Sequence, residues 1–175
     1  MLFLNTPPFI TTLMFSKNEL RYTLALQRVP NLGDVTAKKL ILKVGSAEGV
    51  FSERKRTLLK IKGIGPFKLK ALSKKIQLGK AEKEIEFMEK NDVKYRYFLD
   101  KNYPEKLKHC NDGPILYFQK GKINLHHNKI ISIVGTRKIT SYGKSFCEEL
   151  IHELSPLNPI IISGFAYGVD IKAHK

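Results

Sequence analysis

Two short apolar runs, each ended by glycine, constrain the architecture most. Ile130 to Val134 is continuous and β-branched apart from Ser132 and stops at Gly135, while Ile160-Ile161-Ile162 stops at Ser163-Gly164. Apolar runs without polar alternation read as parallel strands buried on both faces. Between them Ser141 is placed to cap a helix reaching about Leu154, with Phe146, Leu150 and Ile151 on one face, and Pro156 and Pro159 close the connection. The expected element is a parallel β-α-β unit over residues 129–175, right-handed by chirality.

Ligands of open α/β sheets bind at the carboxyl ends of strands, so the two glycine-bearing loops are the first candidate site. In the first loop Gly135 permits close backbone approach, Arg137 offers a planar fork suited to phosphate, and Lys138 adds charge. Thr136, Thr140 and Ser141 offer hydroxyl groups. In the second loop Ser163, Gly164 and Gly168 leave room for a backbone cup around an anion, and Phe165 and Tyr167 either carry an unstacked base or pack against the sheet. Neither loop is a G-x-G-x-x-G fingerprint and no Walker A sequence occurs, so no cofactor is expected. Asp170 and His174 share a helical face, but without a third ligand they read as a helix cap and a surface histidine rather than as catalytic or metal-binding groups.

Upstream, residues 18–90 follow a helical pattern broken at Pro30-Asn31-Leu32-Gly33, Gly45, Gly49 and Gly63-Ile64-Gly65. The surroundings of Gly33 and Gly65 form an approximate repeat. Gly63-Ile64-Gly65 resembles the turn of a helix-hairpin-helix motif, in which glycines let the backbone approach a phosphate and the next helix presents N–H groups to it. Lys60, Lys62, Lys68 and Lys70 would surround the bound backbone, and from Arg54 to Lys80 ten basic residues occur without one Asp or Glu. The competing reading is a plain helix cap and turn, with lysines serving solubility. The turn before Leu40 lacks the first glycine and is expected to be the structural partner of the second.

A formal net charge of +15 and a pI near 9.8 favour a polyanionic partner such as nucleic acid, with membrane surfaces and acidic proteins as further options. Cys110 and Cys147 match neither a zinc pair nor a disulfide framework, which fits a reducing cytoplasm. Residues 1–17 are apolar but interrupted by Asn5, Pro7 and Pro8, too short to span a bilayer, and read as a disordered leader with Met14 as an alternative start. Residues 91–128 read as an irregular connector with a strand-like Ile115-Leu116-Tyr117-Phe118.

The ordered series Val134-Gly135-Thr136-Arg137, Ser141-Tyr142-Gly143, and Ser163-Gly164-Phe165-Ala166-Tyr167-Gly168-Val169-Asp170 with Ala173-His174 resembles the DprA/Smf family. Tyr103-Pro104 through Leu107, and Pro114 through Tyr117 with Gly121, resemble its lead-in, and residues 18–90 are similar to its N-terminal helix-hairpin-helix, or SAM-like, domain. The resemblance implies an α/β protein whose Rossmann-like domain binds single-stranded DNA, dimerises in the complete protein and loads the RecA recombinase in natural transformation or recombination. It further implies a Rossmann-like domain that is incomplete at Lys175, so that the segment from Ile130 onward exposes apolar surface and tends to aggregate. Two rival readings are a Rossmann-like nucleotide phosphoribohydrolase, whose P-G-G-x-G-T-x-x-E motif is absent here, and the helix-hairpin-helix module of a DNA-processing nuclease.

Overall fold

The computed structural model describes residues 15–72, 76–126 and 129–175, and the reading of residues 1–14 as a leader, with Met14 as an alternative start, lies outside them. Phe15 to Lys17, grouped with that leader in the sequence, belong to the fold. The Phe15 ring packs 4.4 Å from that of Tyr97, and Ser16 Oγ accepts the Glu19 N–H at 3.0 Å to cap the first helix. The chain divides into two units, Met1–Gly121 and Lys122–Lys175.

The described part of the first unit contains helices α1 (Lys17–Gln27), α2 (Asp34–Val44), α3 (Ala47–Ser52), α4 (Lys55–Leu58), α5 (Pro66–Leu72) and α6 (Ile76–Lys90). They are followed by strand β1 (Lys94–Tyr97), helix α7 (Glu105–Lys108) and strand β2 (Leu116–Gln119). Gly45 ends α2 with φ 104°, the left-handed cap that glycine adopts without a Cβ penalty. Gly49, by contrast, lies inside α3 and breaks nothing. Its N–H donates to Ser46 Oγ at 2.9 Å, so Ser46 restarts the helix at once. The Glu19 carboxylate also serves α3, accepting the N–H groups of Ala47 at 2.5 Å and Glu48 at 3.1 Å. Burial there pushes the Glu19 carboxyl above its usual range.

The segment read as an irregular connector is in part ordered sheet. Strands β1 and β2 pair antiparallel, with Lys94 opposite Gln119 and Tyr97 opposite Leu116. The pair is fastened to the helices by polar bonds: Ile115 N–H donates to Asp34 Oδ1 at 2.9 Å, and Gln27 Nε2 donates to the Leu116 carbonyl at 3.0 Å. Lys38 Nζ reaches the carbonyls of Cys110 and Asn111, each at 3.3 Å. Tyr97, Ile115 and Leu116 are buried in the same core as Leu24, Leu40, Ile41, Leu58 and Leu69. Lys94-Tyr95-Arg96-Tyr97 does carry the polar-aromatic alternation of a strand, but over four residues only, and its partner strand is distant in the chain, so the sequence reading passed over β1.

The described part of the second unit contains β3 (Ile130–Ser132), α8 (Ser141–Leu154), a 3-10 turn (Ser155–Leu157), β4 (Ile160–Ile162) and α9 (Val169–Lys172). The strands are parallel, Ile130 opposite Ile160 and Ser132 opposite Ile162, which gives the expected β-α-β order. Thr140, one residue before the expected Ser141, caps α8, its Oγ1 accepting the Gly143 N–H at 3.1 Å. The strands are not buried on both faces. Ile130, Ile131, Ile160 and Ile161 are half-buried, Ser132 and Ile162 are exposed, and Val134 just beyond β3 is 71% exposed. On α8 Cys147 is buried while Phe146 is exposed. Two strands with α8 and α9, the elements described in this unit, are too few to cover two sheet faces.

Candidate nucleic-acid interface

Parallel pairing carries both strand ends to one edge of the sheet, where the loops after β3 and β4 interlock. Asp170, only 4% exposed, accepts the Gly135 N–H through Oδ1 at 3.2 Å, and the Val169 N–H donates to the Thr136 carbonyl at 3.1 Å. The approach requires glycine at two points. A Cβ on Gly135 would lie 2.7 Å from Val169 Cγ2, and one on Gly168 would lie 2.1 Å from the Thr136 carbonyl oxygen. Gly168 also has φ 92° and ψ −127°, a region closed to residues with a side chain.

This lock leaves the basic side chains outside. Thr136 Oγ1 accepts the Lys138 N–H at 3.2 Å and tightens the first loop, while Arg137 and Lys138 are exposed. Among the described residues neither charged end is held by a hydrogen bond or an ion pair. In the second loop Ser163 Oγ accepts the Phe165 N–H at 3.0 Å, and Phe165 takes the left-handed conformation with φ 52°. Phe165 and Tyr167 are 70% and 80% exposed, so the sequence alternative that they pack against the sheet does not hold. Gly164 sits over the Asp170 carboxylate, a Cβ there coming 3.1 Å from Oδ2. The structure thus brings Gly135, Thr136 and Arg137 against Gly168, and Ser163 beside Phe165.

Sequence reasoning missed two residues of this edge. Asp170 is not the helix cap expected of it: it lies inside α9, whose N-cap is Gly168, and its carboxylate fastens the two loops instead. His174 shares a 2.9 Å hydrogen bond with Ser163 Oγ, with its ring 5.7 Å from that of Phe165. Their four-residue spacing was visible, but the Gly135 N–H and the Ser163 hydroxyl they meet were not. Among the described residues no group of three or more His, Cys, Asp or Glu side chains is placed to hold a metal, and no helix is long and apolar enough to cross a membrane.

In the first unit the two turns repeat more closely than the residues suggest. Asn31 has φ 61° where Gly63 has φ 89°, Leu32 and Ile64 are both buried, and each donates its N–H three residues back, to Val29 at 3.2 Å and Ile61 at 3.0 Å. Asparagine tolerates the left-handed conformation and so stands in for the missing glycine. The polar residues around the two turns differ in their commitments. At the first, Asp34 and Lys38 are bonded to residues 110–115. At the second, Lys60 and Lys62 are exposed beside Gly63 and Gly65, and Lys70 is exposed on α5. Lys68 departs from expectation: half-buried, it turns inward to the Gly63 carbonyl at 3.3 Å and to Thr36 Oγ1 at 3.4 Å.

Residues 94–175 match the family model described as DNA recombination-mediator protein A. The chain is 40% identical over 75 residues to DNA processing protein DprA of Bacillus subtilis, covering 42% of this chain and 25% of that protein. It is 26% identical over 166 residues to protein Smf of Synechocystis, covering 91% of this chain and 41% of that one. It also matches the X-ray structure of DprA from Streptococcus pneumoniae with a TM-score of 0.53 and 25% identity, over 91% of this chain and 53% of that chain. The chain therefore spans about half, or less, of the length of these relatives. Family model, sequence relatives and solved structure agree, and the chain is similar throughout to proteins of the DprA/Smf family.

Proposed function

We propose that this chain binds single-stranded DNA and acts in DNA uptake and recombination as a non-catalytic mediator, with RecA recombinase as its partner, a homodimer as the form of the complete protein, and the cytoplasm as its compartment. The observation that carries this reading is the strand-end edge, where two glycine-locked loops meet, one carrying exposed Arg137 and Lys138 and the other exposed Phe165 and Tyr167. Cationic groups on a rigid loop suit a phosphate backbone, and exposed rings suit unpaired bases, which is the combination single strands require. In this reading the β3-α8-β4 unit is Rossmann-like, and the turn at Gly63-Ile64-Gly65 is a helix-hairpin-helix element adding phosphate contacts through Lys60, Lys62 and Lys70. Lys68 acts there as a brace rather than a ligand. The names of the relatives, DNA processing protein and DNA recombination-mediator protein, support the same class of activity.

The test is anisotropy of a labelled oligo-dT at several salt concentrations, with Arg137→Ala as the variant. Affinity is expected to fall with salt, and the variant is expected to bind more weakly with a slope reduced by about 0.7 for one lost single-strand phosphate contact. Equal affinity at every salt concentration removes Arg137 from the interface. A parent chain without affinity for oligo-dT in dilute buffer overturns the reading, and release of base from a nucleoside monophosphate would favour the phosphoribohydrolase instead.

A further inference from the structure

The loop after β4 shows an economy that DNA binding by charge alone does not require. Phe165 is a large residue in a left-handed backbone conformation, φ 52°, which costs free energy in any residue with a Cβ. It is nonetheless 70% exposed, so packing of the ring does not repay that conformation. Two polar contacts hold the conformation instead. The Phe165 N–H donates to Ser163 Oγ at 3.0 Å, and the same oxygen shares a hydrogen bond with His174 Nε2 at 2.9 Å. The imidazole also flanks the phenyl ring, centroids 5.7 Å apart and planes inclined at 58°. The His174 backbone is itself tied down: it follows Ala173, the buried C-cap of α9, and its N–H donates to the Ile171 carbonyl at 3.2 Å.

We infer that His174 is a positioning residue which, through Ser163, presents the Phe165 ring as a stacking platform for one unpaired nucleobase beside the phosphate-facing loop of Arg137. The inference rests on the single-strand reading above and adds to it the ligand moiety taken at this point and the residue that prepares the site. A ring held on one side by imidazole keeps its other side for a base, and a base stacked on an aromatic side chain accepts any sequence because every base has a π-face. The brace gains its value by removing alternative ring positions before binding. His174 touches the ring and the serine rather than the DNA, so its loss should alter how bases are held and leave the phosphate contacts in place.

The experiment compares oligo-dT with an abasic oligonucleotide of equal length, both across a salt series, and adds an oligo-dT carrying a single 2-aminopurine whose fluorescence reports stacking. For the parent chain, oligo-dT is expected to bind at least ~5-fold tighter than the abasic strand. The His174→Ala variant should lose that preference and the 2-aminopurine quenching while keeping the salt slope. His174→Gln, which can still bond Ser163 through its terminal amide, should restore most of both. Where the alanine variant loses its far-UV circular dichroism, His174→Leu takes its place.

An unchanged base preference and unchanged quenching in the alanine or leucine variant overturn the role of His174. Equal affinity of the parent for oligo-dT and abasic strands overturns the platform and leaves DNA binding standing. A parent that binds neither strand defeats the single-strand reading itself.

Discussion

Replacing Gly168 by alanine tests the interlocked loops most directly. At φ 92° and ψ −127° an L-residue is strained, by about 1–3 kcal/mol. The new Cβ would also lie 2.1 Å from the Thr136 carbonyl oxygen and 2.8 Å from both Cα and the carbonyl carbon of Arg137. Those atoms are backbone and cannot rotate aside, so the first loop must move. That movement breaks the Val169-to-Thr136 and Gly135-to-Asp170 hydrogen bonds, each contributing roughly 0.5–1.5 kcal/mol. The expected loss is roughly 2–6 kcal/mol, a large part of a typical domain's stability. Gly63→Ala is the control: φ is 89° there, but no atom lies within 4 Å of the added Cβ, so only conformational strain of about 1–2 kcal/mol applies. Hydrogen exchange at the Gly135 and Val169 amides, read beside urea denaturation, should show lost protection in Gly168→Ala and none lost in the control. Retained protection at both amides, with stability within about 0.5 kcal/mol of the parent, would refute the steric argument.

Two more outcomes are expected in the first unit. Asp34→Ala should lower the urea-unfolding free energy by about 1–3 kcal/mol, because it strands the N–H of fully buried Ile115, and Asp34→Asn should recover most of that loss by restoring an acceptor. Burial pushes the Tyr103 phenol up to about 12, above the unfolded value near 10, so the stability it contributes is complete below about pH 10 and is lost as pH rises through about 12. The stability difference between parent and Tyr103→Phe should shift in the variant's favour over that window, and absorbance at ~295 nm should show one fewer late-ionising phenol in the variant.

The β-α-β unit was legible because its signals are local: β-branched runs for the strands, glycine at their ends, proline in the connection. The basic and aromatic loop residues were legible for the same reason, since their chemistry is written in residue type. What was hidden depends on partners far away in the chain. Asp34 looks like an ordinary first-turn acid until Ile115 is placed beside it, and Lys68 looks like a phosphate ligand until Thr36 and the Gly63 carbonyl are seen at its end. Asn31 hid the regularity of the repeat because the left-handed turn usually announces itself with glycine. The apolar runs by themselves hid the exposure of the strands, which followed only from the expectation that too few elements surround them, since composition reports what a segment would bury and not how much neighbouring structure is there to bury it.

The fastening of β1 and β2 to the helices bears on how relatives can exchange parts. The family-model match sets a similarity boundary at residue 94, whereas the physical seam of the first unit falls at Gly121. A chimera joined at the similarity boundary would present Gln27, Asp34 and Lys38 with foreign backbone partners, whereas a join at the seam would carry each of these bonds intact. Recombination between homologues at this second point is the graft that leaves the bonds of the first unit whole.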